Sequence, residues 1–321
     1  MIPMKKNIYK ETNYFGFIII SIAFFILFFG LSKIWNLDQA QLDSLLIAIK
    51  KLINWIPIIL FILGSSYFAR YLRWRMLLGA ASVGEFNLSD AIWWFRGFAL
   101  TATPAKLGEI TRVHQLNKYL GYPKKKLLTI FFLERIFDFI SVIIWITLLS
   151  PNILFIEIKD FNYQILLFAI CTIGFFLFIF LIKKFFIKIK AKLNSIFPNL
   201  NSKKIIKVTS LGILISFFFW GIEALILWIL VLVLAPININ IGRAIYIYLI
   251  SGIAGILSGL PGGIGVNEAA STIMLQNAGL PVVISFIISL IRRLLTVWTI
   301  TGLSIFSSLP LRKYSSFRKD K

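Results

Sequence analysis

Two apolar regions of the chain are broken by the stretches Thr103-Pro-Ala-Lys-Leu-Gly-Glu109 and Leu260-Pro-Gly-Gly-Ile-Gly-Val-Asn-Glu268. Proline ends a helix because it lacks a backbone N–H donor and its ring clashes with the preceding turn. Glycine adopts the positive φ angles that many tight turns require. We therefore expect the regions 90–120 and 243–278 to form two short helices each, joined at the quoted stretch.

Long apolar runs surround these two broken regions. The chain is 59% hydrophobic with a mean hydropathy of +0.87, whereas a soluble domain has roughly 45–50% apolar residues. A helix of about 20 apolar residues crosses the hydrocarbon core of a bilayer. Six runs reach this length, at residues 14–34, 52–72, 127–149, 163–182, 208–235 and 282–309. The sequence therefore predicts an all-α polytopic membrane protein with six transmembrane helices.

Basic residues set the predicted orientation. The net charge is +21, from 34 Lys and Arg against 13 Asp and Glu. An anionic partner would account for this excess, but most basic residues flank apolar runs, as they do in cytoplasmic loops. No nucleic-acid-binding motif accompanies them, so nucleic acid is excluded as a partner. The clusters precede spans one and three, separate spans four and five, close the chain, and follow span two at Arg70, Arg73 and Arg75.

All these clusters can face the cytoplasm only if each broken region enters and leaves the membrane on one side. We therefore predict two re-entrant helical hairpins, the first dipping from the cytoplasm and the second from the outside. The same distribution of charge places both termini in the cytoplasm and the protein in the cytoplasmic (inner) membrane.

The two broken regions also match each other in order. Leu120-Gly-Tyr-Pro123 follows the first break, and Ala278-Gly-Leu-Pro281 follows the second. Arg135 and Arg293 each lie 12 residues after the proline of these motifs. Such ordered matches predict an internal repeat, with each unit ending in one apolar span.

The repeat divides the chain into a first unit, 1–155, and a second unit, 156–321. The first unit contains three predicted crossings, an odd number, so the second unit is predicted to have the opposite orientation. Inverted repeats with broken helices at corresponding positions are typical of transporters that bind their cargo near the bilayer midplane.

The tips of the hairpins are candidate phosphate-binding sites. Gly262, Gly263 and Gly265 are expected to leave backbone N–H groups exposed where a helix begins, and a helix N-terminus attracts phosphate. Lys106 and Arg112 add positive charge at the other tip. The alternative is that both stretches are ordinary turns, in which Gly and Pro only interrupt the helices.

Three charged residues, Glu134, Arg135 and Asp138, lie in the third apolar run. Each would cost roughly 2.5–3.5 kcal/mol at the bilayer centre, so we expect them to face the protein interior. The corresponding place in the second unit holds Arg292 and Arg293, and we expect acids of one unit to meet arginines of the other. Two interpretations remain open: ion pairs join the units, or the arginines bind a headgroup phosphate.

A further acid, Glu223, lies in the middle of the fifth run. It either couples transport to protons or pairs with one of these arginines. Glu109, Glu134, Asp138 and Glu268 are expected to orient the arginines. No catalytic residue, metal site or cofactor is predicted, because the chain has one cysteine and one histidine and neither has a partner at ligand spacing.

The sequence resembles the lysylphosphatidylglycerol synthase transmembrane family, also called the flippase-like or UPF0104 family. The resemblance covers nearly the whole chain. It lies in Pro104-Ala-Lys-Leu-Gly-Glu-Ile-Thr-Arg112, Glu134-Arg-Ile-Phe-Asp138, Pro261-Gly-Gly-Ile-Gly-Val-Asn-Glu268 and the downstream Arg293. In the family this module is the lipid-translocating half of proteins that make and flip aminoacylated phospholipid, and it also occurs alone, often near envelope glycosyltransferases.

The resemblance and the residues together predict a flippase-like protein rather than an enzyme. The expected cargo is an anionic phospholipid or a polyprenyl-phosphate-linked lipid. Only 12 residues follow Leu309, so lysyl transfer by this chain alone is not expected. The alternative is a membrane-embedded accessory subunit or transferase whose partner is an envelope glycosyltransferase or an aminoacyl-lipid synthase.

Overall fold

The computed structural model describes residues 38–84, 88–101, 103, 108–157, 202–235 and 237–308, with 28 and 32 as single positions. Within these ranges the chain forms helices and turns, and no strand. The helices are α1 (Gln39–Ala80), α2 (Leu88–Arg96), α3 (Thr111–Leu120), α4 (Lys124–Glu157), α5 (Ser202–Leu234), α6 (Ile241–Leu257), α7 (Val266–Asn277), α8 (Val282–Arg293) and α9 (Thr299–Ser308).

Four of the predicted spans fall on described helices. Three stretches are long and apolar enough to cross a membrane: Leu46–Ala80, Lys204–Leu234 and Val282–Ser307. The third predicted span lies in α4, which has 34 residues but carries three charged side chains within five positions. The spans predicted at 14–34 and 163–182 lie outside the described residues, apart from positions 28 and 32. The total of six spans therefore stays a prediction, as does the division into units at 155/156.

Both predicted breaks are present. In the first region α2 leads into a 3-10 turn at Gly97–Leu100, and α3 follows a second 3-10 turn at 108–110. In the second region a 3-10 turn at Pro261–Gly263 separates α6 from α7. At 1.5 Å per residue these four helices are about 14 to 26 Å long, shorter than a hydrocarbon core of roughly 30 Å.

Each broken region folds back on itself. Helix α2 packs against α3, and α6 packs against α7. At the second break, a Cβ added to Gly263 would lie 2.7 Å from the Cα of Gly255, and Gly263 has a φ of +66°. Only glycine satisfies both conditions, so the turn can lie directly against α6. These contacts form two helical hairpins, whose entry and exit on one side of a membrane remain predictions.

The three longest helices, α1, α4 and α5, pack together. Helix α1 packs along α5, and α4 packs against α5. The last predicted span of each unit is its end helix: α4 in the first unit, and in the second the stretch Val282–Ser307, which includes α8 and most of α9. Each end helix contacts the hairpin of the other unit, since α4 packs on α6, and α9 packs on α2 and its 3-10 turn. Ser304 of α9 donates a hydrogen bond to the carbonyl of Phe95 at 2.8 Å. This reciprocal packing brings both breaks close to the middle of the structure.

Exposed apolar side chains and buried charged side chains distinguish this structure from that of a soluble protein. Phe61, Phe139 and Leu257 are 75%, 62% and 80% exposed, whereas Arg73 and Glu134 are each 1% exposed. In water, large exposed apolar patches are uncommon and charged side chains are seldom fully buried. Apolar side chains on the exterior and charged side chains withdrawn into the interior are what a bilayer favours.

Candidate functional site

A cavity of about 340 Å³ lies between the two predicted units. Both broken regions contribute to its wall, through Thr101 and Thr103 on one side and Gly262, Gly263 and Asn267 on the other. Its charged lining residues are Arg135, Asp138, Glu223, Arg292 and Arg293. The cavity is therefore a mostly apolar compartment that contains charged side chains from both units and is reached by both hairpins.

The acids of α4 pair with arginines of the first unit. Asp138 accepts from Arg73 at 2.5 Å and lies 3.3 Å from Arg135. Glu134 pairs with Arg112 and lies 3.5 Å from Arg73. These side chains neutralise one another in the low-dielectric interior, where an unpaired charge would be costly.

A second acid of the first unit, Glu109, connects its hairpin to α4. It accepts a hydrogen bond from Thr101 at 3.0 Å and lies 3.7 Å from Arg135. Arg135 is the most accessible of the arginines around the cavity, with its side chain 30% exposed. It is nevertheless flanked by two carboxylates, those of Glu109 and Asp138.

The acid of α5, Glu223, joins the two units. Arg70 of α1 donates to it at 2.5 Å, Ser66 at 2.8 Å and Tyr248 of α6 at 2.6 Å. The guanidinium of Arg70 also lies 4.1 Å from the ring centre of Phe219. The arginine in this pair is Arg70, which was not predicted from the sequence as the partner of Glu223, and proton coupling by Glu223 stays a prediction.

The second hairpin holds Arg293 in a similar way. Glu268 accepts from its Nε at 2.9 Å, and the carbonyl of Gly262 accepts from its Nη2. Glu268 also accepts from the backbone N–H of Gly265 at 2.7 Å. The first turn of α7 is therefore filled by a carboxylate of the chain itself.

This arrangement corrects the expectation that the backbone N–H groups of Gly263 and Gly265 stay exposed. The N–H of Gly263 donates to the carbonyl of Leu260, and that of Gly265 donates to Glu268. Both groups are satisfied within the turn, because a buried backbone donor without a partner is costly. The N-terminus of α7 is thus not an open phosphate site.

Arg292 differs from the other arginines around the cavity in having neutral partners. It is 2% exposed, and it donates to the hydroxyl of Ser251 at 3.1 Å and to the side-chain carbonyl of Asn267. Its guanidinium lies 5.2 Å from the ring centre of Tyr248. Its Nε has no hydrogen-bond partner among the described residues. None of these contacts supplies a negative charge.

The remaining predicted residues divide between the cavity and its surroundings. Arg112 is buried in its pair with Glu134 and does not line the cavity. Lys106 lies outside the described residues. The acids of α4 pair within the first unit, and Arg293 pairs within the second. The expected contact between Glu134 or Asp138 and Arg292 or Arg293 is therefore replaced by the Arg70–Glu223 pair as the ion pair between units.

Sequence reasoning missed Arg70 and Arg73, which were assigned to a cytoplasmic loop. Both are buried in the last third of α1, so neither contributes to the charge of a loop. A signal was present, since Ser66, Arg70 and Arg73 are spaced four and three residues apart and therefore share one helix face. Asn267, Ser251 and Tyr248 were also missed, because neutral polar residues in apolar runs resemble ordinary packing.

The family profile described as the lysylphosphatidylglycerol synthase TM region matches residues 18–304. The chain belongs to this family. The match spans both breaks and every residue of the cavity wall, so the resemblance seen in the sequence is confirmed. With three helices that can cross a bilayer, the protein is a multi-pass membrane member of the lysylphosphatidylglycerol synthase TM-region family.

One relative has a similar amino-acid sequence over part of this chain. A protein of Methanothermobacter thermautotrophicus named UPF0104 membrane protein is 35% identical over 103 residues. The matched segment is 31% of this chain and 30% of that protein. The chain therefore matches less than a third of the relative's length.

Proposed function

We propose that this protein translocates a lipid with an anionic headgroup across the membrane, with Arg292 as the contact for the headgroup phosphate. The cargo is an anionic phospholipid or a polyprenyl-phosphate-linked lipid. The protein acts as a flippase-like carrier rather than an enzyme, in the cytoplasmic membrane with both termini in the cytoplasm.

The environment of Arg292 carries this proposal. A guanidinium is always charged in proteins and offers five donors that match phosphate oxygens. A buried charge requires a counter-charge, and the described partners of Arg292 are neutral. A phosphate in the cavity would supply that charge, since Arg292 contributes to the cavity wall. Arg135 and Arg293 lie in the same wall, where they add positive potential.

The apolar side of the cavity supports a lipid rather than a soluble anion. Val142, Ile253 and Val297 line it, together with Phe139 and Ile256. The last two are 62% and 47% exposed on the outer surface. An acyl or prenyl chain can thus remain against this side while the headgroup enters the cavity.

The two hairpins are the elements that would give access from the two leaflets in turn. Each contributes residues to the cavity wall and packs against the end helix of the other unit. Alternating access by units of opposite orientation would expose the same cavity to one leaflet and then the other. The inverted orientation and the re-entrant path are part of this proposal.

Translocation is tested with the purified full chain in liposomes that contain phosphatidylglycerol with a fluorescent label on its acyl chain. A membrane-impermeant reductant destroys the label only in the outer leaflet, so translocation appears as loss of the protected signal. Arg292→Gln should slow this loss about tenfold or more, since hydrogen bonds to a charged group contribute roughly 1.5–3 kcal/mol.

A matched control removes a guanidinium elsewhere. Arg243 lies at the start of α6, outside the cavity wall, and donates to the carbonyl of Asn277 at 2.9 Å. Arg243→Gln should leave translocation unchanged. Signal loss no faster than in protein-free liposomes would contradict the carrier proposal and favour the alternative, an accessory subunit or transferase working with an envelope glycosyltransferase or aminoacyl-lipid synthase.

A further inference from the structure

The charges around the cavity do not cancel. Among the described residues, six arginines form a cluster at the cavity, all of them buried except the partly exposed Arg135: Arg70, Arg73, Arg112, Arg135, Arg292 and Arg293. Five acids face them: Glu109, Glu134, Asp138, Glu223 and Glu268. The cluster therefore has one more positive than negative side chain. The cavity wall alone gives the same difference, with three arginines and two acids.

The excess charge can be assigned to one residue. Every other arginine of the cluster lies within 4 Å of at least one carboxylate oxygen. Arg292 is held by Ser251 and Asn267. The site therefore offers one unit of positive charge, at a fixed position, to whatever enters.

We propose, resting on the function proposed above, that the cavity selects a lipid phosphodiester with one negative charge over phosphomonoester and diphosphate lipids. One phosphodiester neutralises Arg292 and leaves the rest of the cluster paired. A phosphomonoester carries a charge of about −1.5 to −2 at pH 7, and a diphosphate carries more. The additional charge would meet Asp138 and Glu223 in the same wall with no arginine left to balance it.

This proposal distinguishes lipids by charge rather than by their apolar chains. A glycerophospholipid and a polyprenyl phosphate esterified to a sugar are both phosphodiesters. A polyprenyl diphosphate and phosphatidic acid fall in the disfavoured group. The shared chemistry is a single phosphodiester next to a long apolar chain.

The sharpest comparison uses two lipids that differ by one methyl group. Phosphatidylmethanol is a phosphodiester, and phosphatidic acid is the corresponding phosphomonoester. Both are given the same acyl-chain label and assayed at pH 8 in the liposome assay, where phosphatidic acid is close to its dianionic form. The wild-type protein should translocate phosphatidylmethanol at least about tenfold faster, a ratio equivalent to roughly 1.4 kcal/mol.

Replacing one acid of the cavity wall by its amide should reduce the preference for phosphatidylmethanol over phosphatidic acid. Asp138→Asn and Glu223→Gln each raise the excess to two positive charges. In either protein the ratio of the two rates should fall about tenfold, toward or past equality, because the second charge of phosphatidic acid now has a partner. Two positions are used because each acid also holds an arginine, and one variant could fail to fold. Asp43→Asn, at an exposed position of α1, is the control and should leave the ratio unchanged.

Competition identifies the apolar part of the lipid. An unlabelled polyprenyl phosphosugar that slows phosphatidylmethanol would assign the site to phosphodiesters of both classes, whereas a polyprenyl diphosphate should compete at least about tenfold less well. Equal translocation of both labelled lipids by the wild-type protein would overturn the charge selection and leave the carrier function standing. Translocation of neither lipid would overturn the carrier function itself.

Discussion

The two predicted units build the same ion pair from corresponding residues. In the first unit Glu109, near the start of the returning helix, lies 3.7 Å from Arg135 of the end helix. In the second unit Glu268, in the first turn of the returning helix, lies 2.9 Å from Arg293 of the end helix. Each pair ties a hairpin to the last helix of its own unit. The equivalence of Arg135 and Arg293 in the sequence thus has a counterpart in the packing.

The units differ one residue earlier on the end helix. Glu134 precedes Arg135 and pairs with Arg112, whereas Arg292 precedes Arg293 and contacts neutral groups. Arg135 is therefore preceded by an acid in an ion pair, whereas Arg292 keeps an unpaired positive charge at the cavity, because Glu223 of the second unit pairs with Arg70 of the first. The two units therefore share the ion pair between hairpin and end helix. The position before it is an acid in the first unit and an arginine in the second, and this difference makes Arg292 the candidate binding residue.

The largest expected effect comes from removing the carboxylate of the shorter ion pair. Glu268→Gln takes away the partner of Arg293 and weakens the acceptor for the N–H of Gly265. Removing one partner of a buried pair costs about 3–5 kcal/mol, so a large fall in the melting temperature in detergent is expected. Glu109→Gln should cost less, because its pair is longer and its arginine keeps Asp138. Equal losses would show that the two pairs are interchangeable.

The turns of the two hairpins give the next comparison. A Cβ on Gly263 would lie 2.7 Å from a backbone atom of α6 and would also require a φ of +66°. Gly263→Ala should therefore cost about 2–4 kcal/mol, the strain of a left-handed residue plus that of overpacking. Gly121 has a φ of +71° with open space around it.

Gly121→Ala serves as the matched control, because it adds the same strain without the clash. It should cost about 1–2 kcal/mol. Thermal unfolding followed by circular dichroism measures both variants. A cost for Gly263→Ala no larger than for Gly121→Ala would mean that the close approach of the turn to α6 is not required.

A substitution at Gly252 should have the smallest effect on stability but a large effect on translocation. Gly252 lines the cavity, and a Cβ added there would meet nothing within 4 Å. Gly252→Leu should change stability by less than about 1 kcal/mol, since leucine is the better helix former, while its side chain fills the cavity and stops translocation. Gly302→Leu, also in open space but outside the cavity wall, should leave translocation intact.

Much of the fold could be predicted from the sequence because its signals are local. Apolar runs long enough to cross a bilayer located the four described spans. Pro and Gly in the two further apolar regions located both breaks. The ordered Gly-x-Pro motifs predicted which helices correspond. The orientation was less secure, because Arg70 and Arg73 were counted as loop charges although they are buried in α1.

The site could be predicted only in part, because pairing partners are chosen by tertiary packing. The charged residues of α4 and α8 were found from the cost of burying them. Their partners lie up to 65 positions away, and Arg70 lies 153 positions from Glu223, so no periodicity connects the members of these pairs. Asn267 contributes to the site as a neutral acceptor for Arg292. In the sequence it cannot be told apart from an ordinary polar residue of a turn.

The central claim is that Arg292 retains an unbalanced charge because the side chain that accepts from it is the neutral Asn267 rather than an acid. Asn267→Asp tests this most directly, since it places a carboxylate on the group that already accepts from Arg292. The liposome assay with labelled phosphatidylglycerol should show translocation reduced about tenfold or more, with the melting temperature unchanged or raised. Translocation at the wild-type rate by a folded N267D protein would contradict the account.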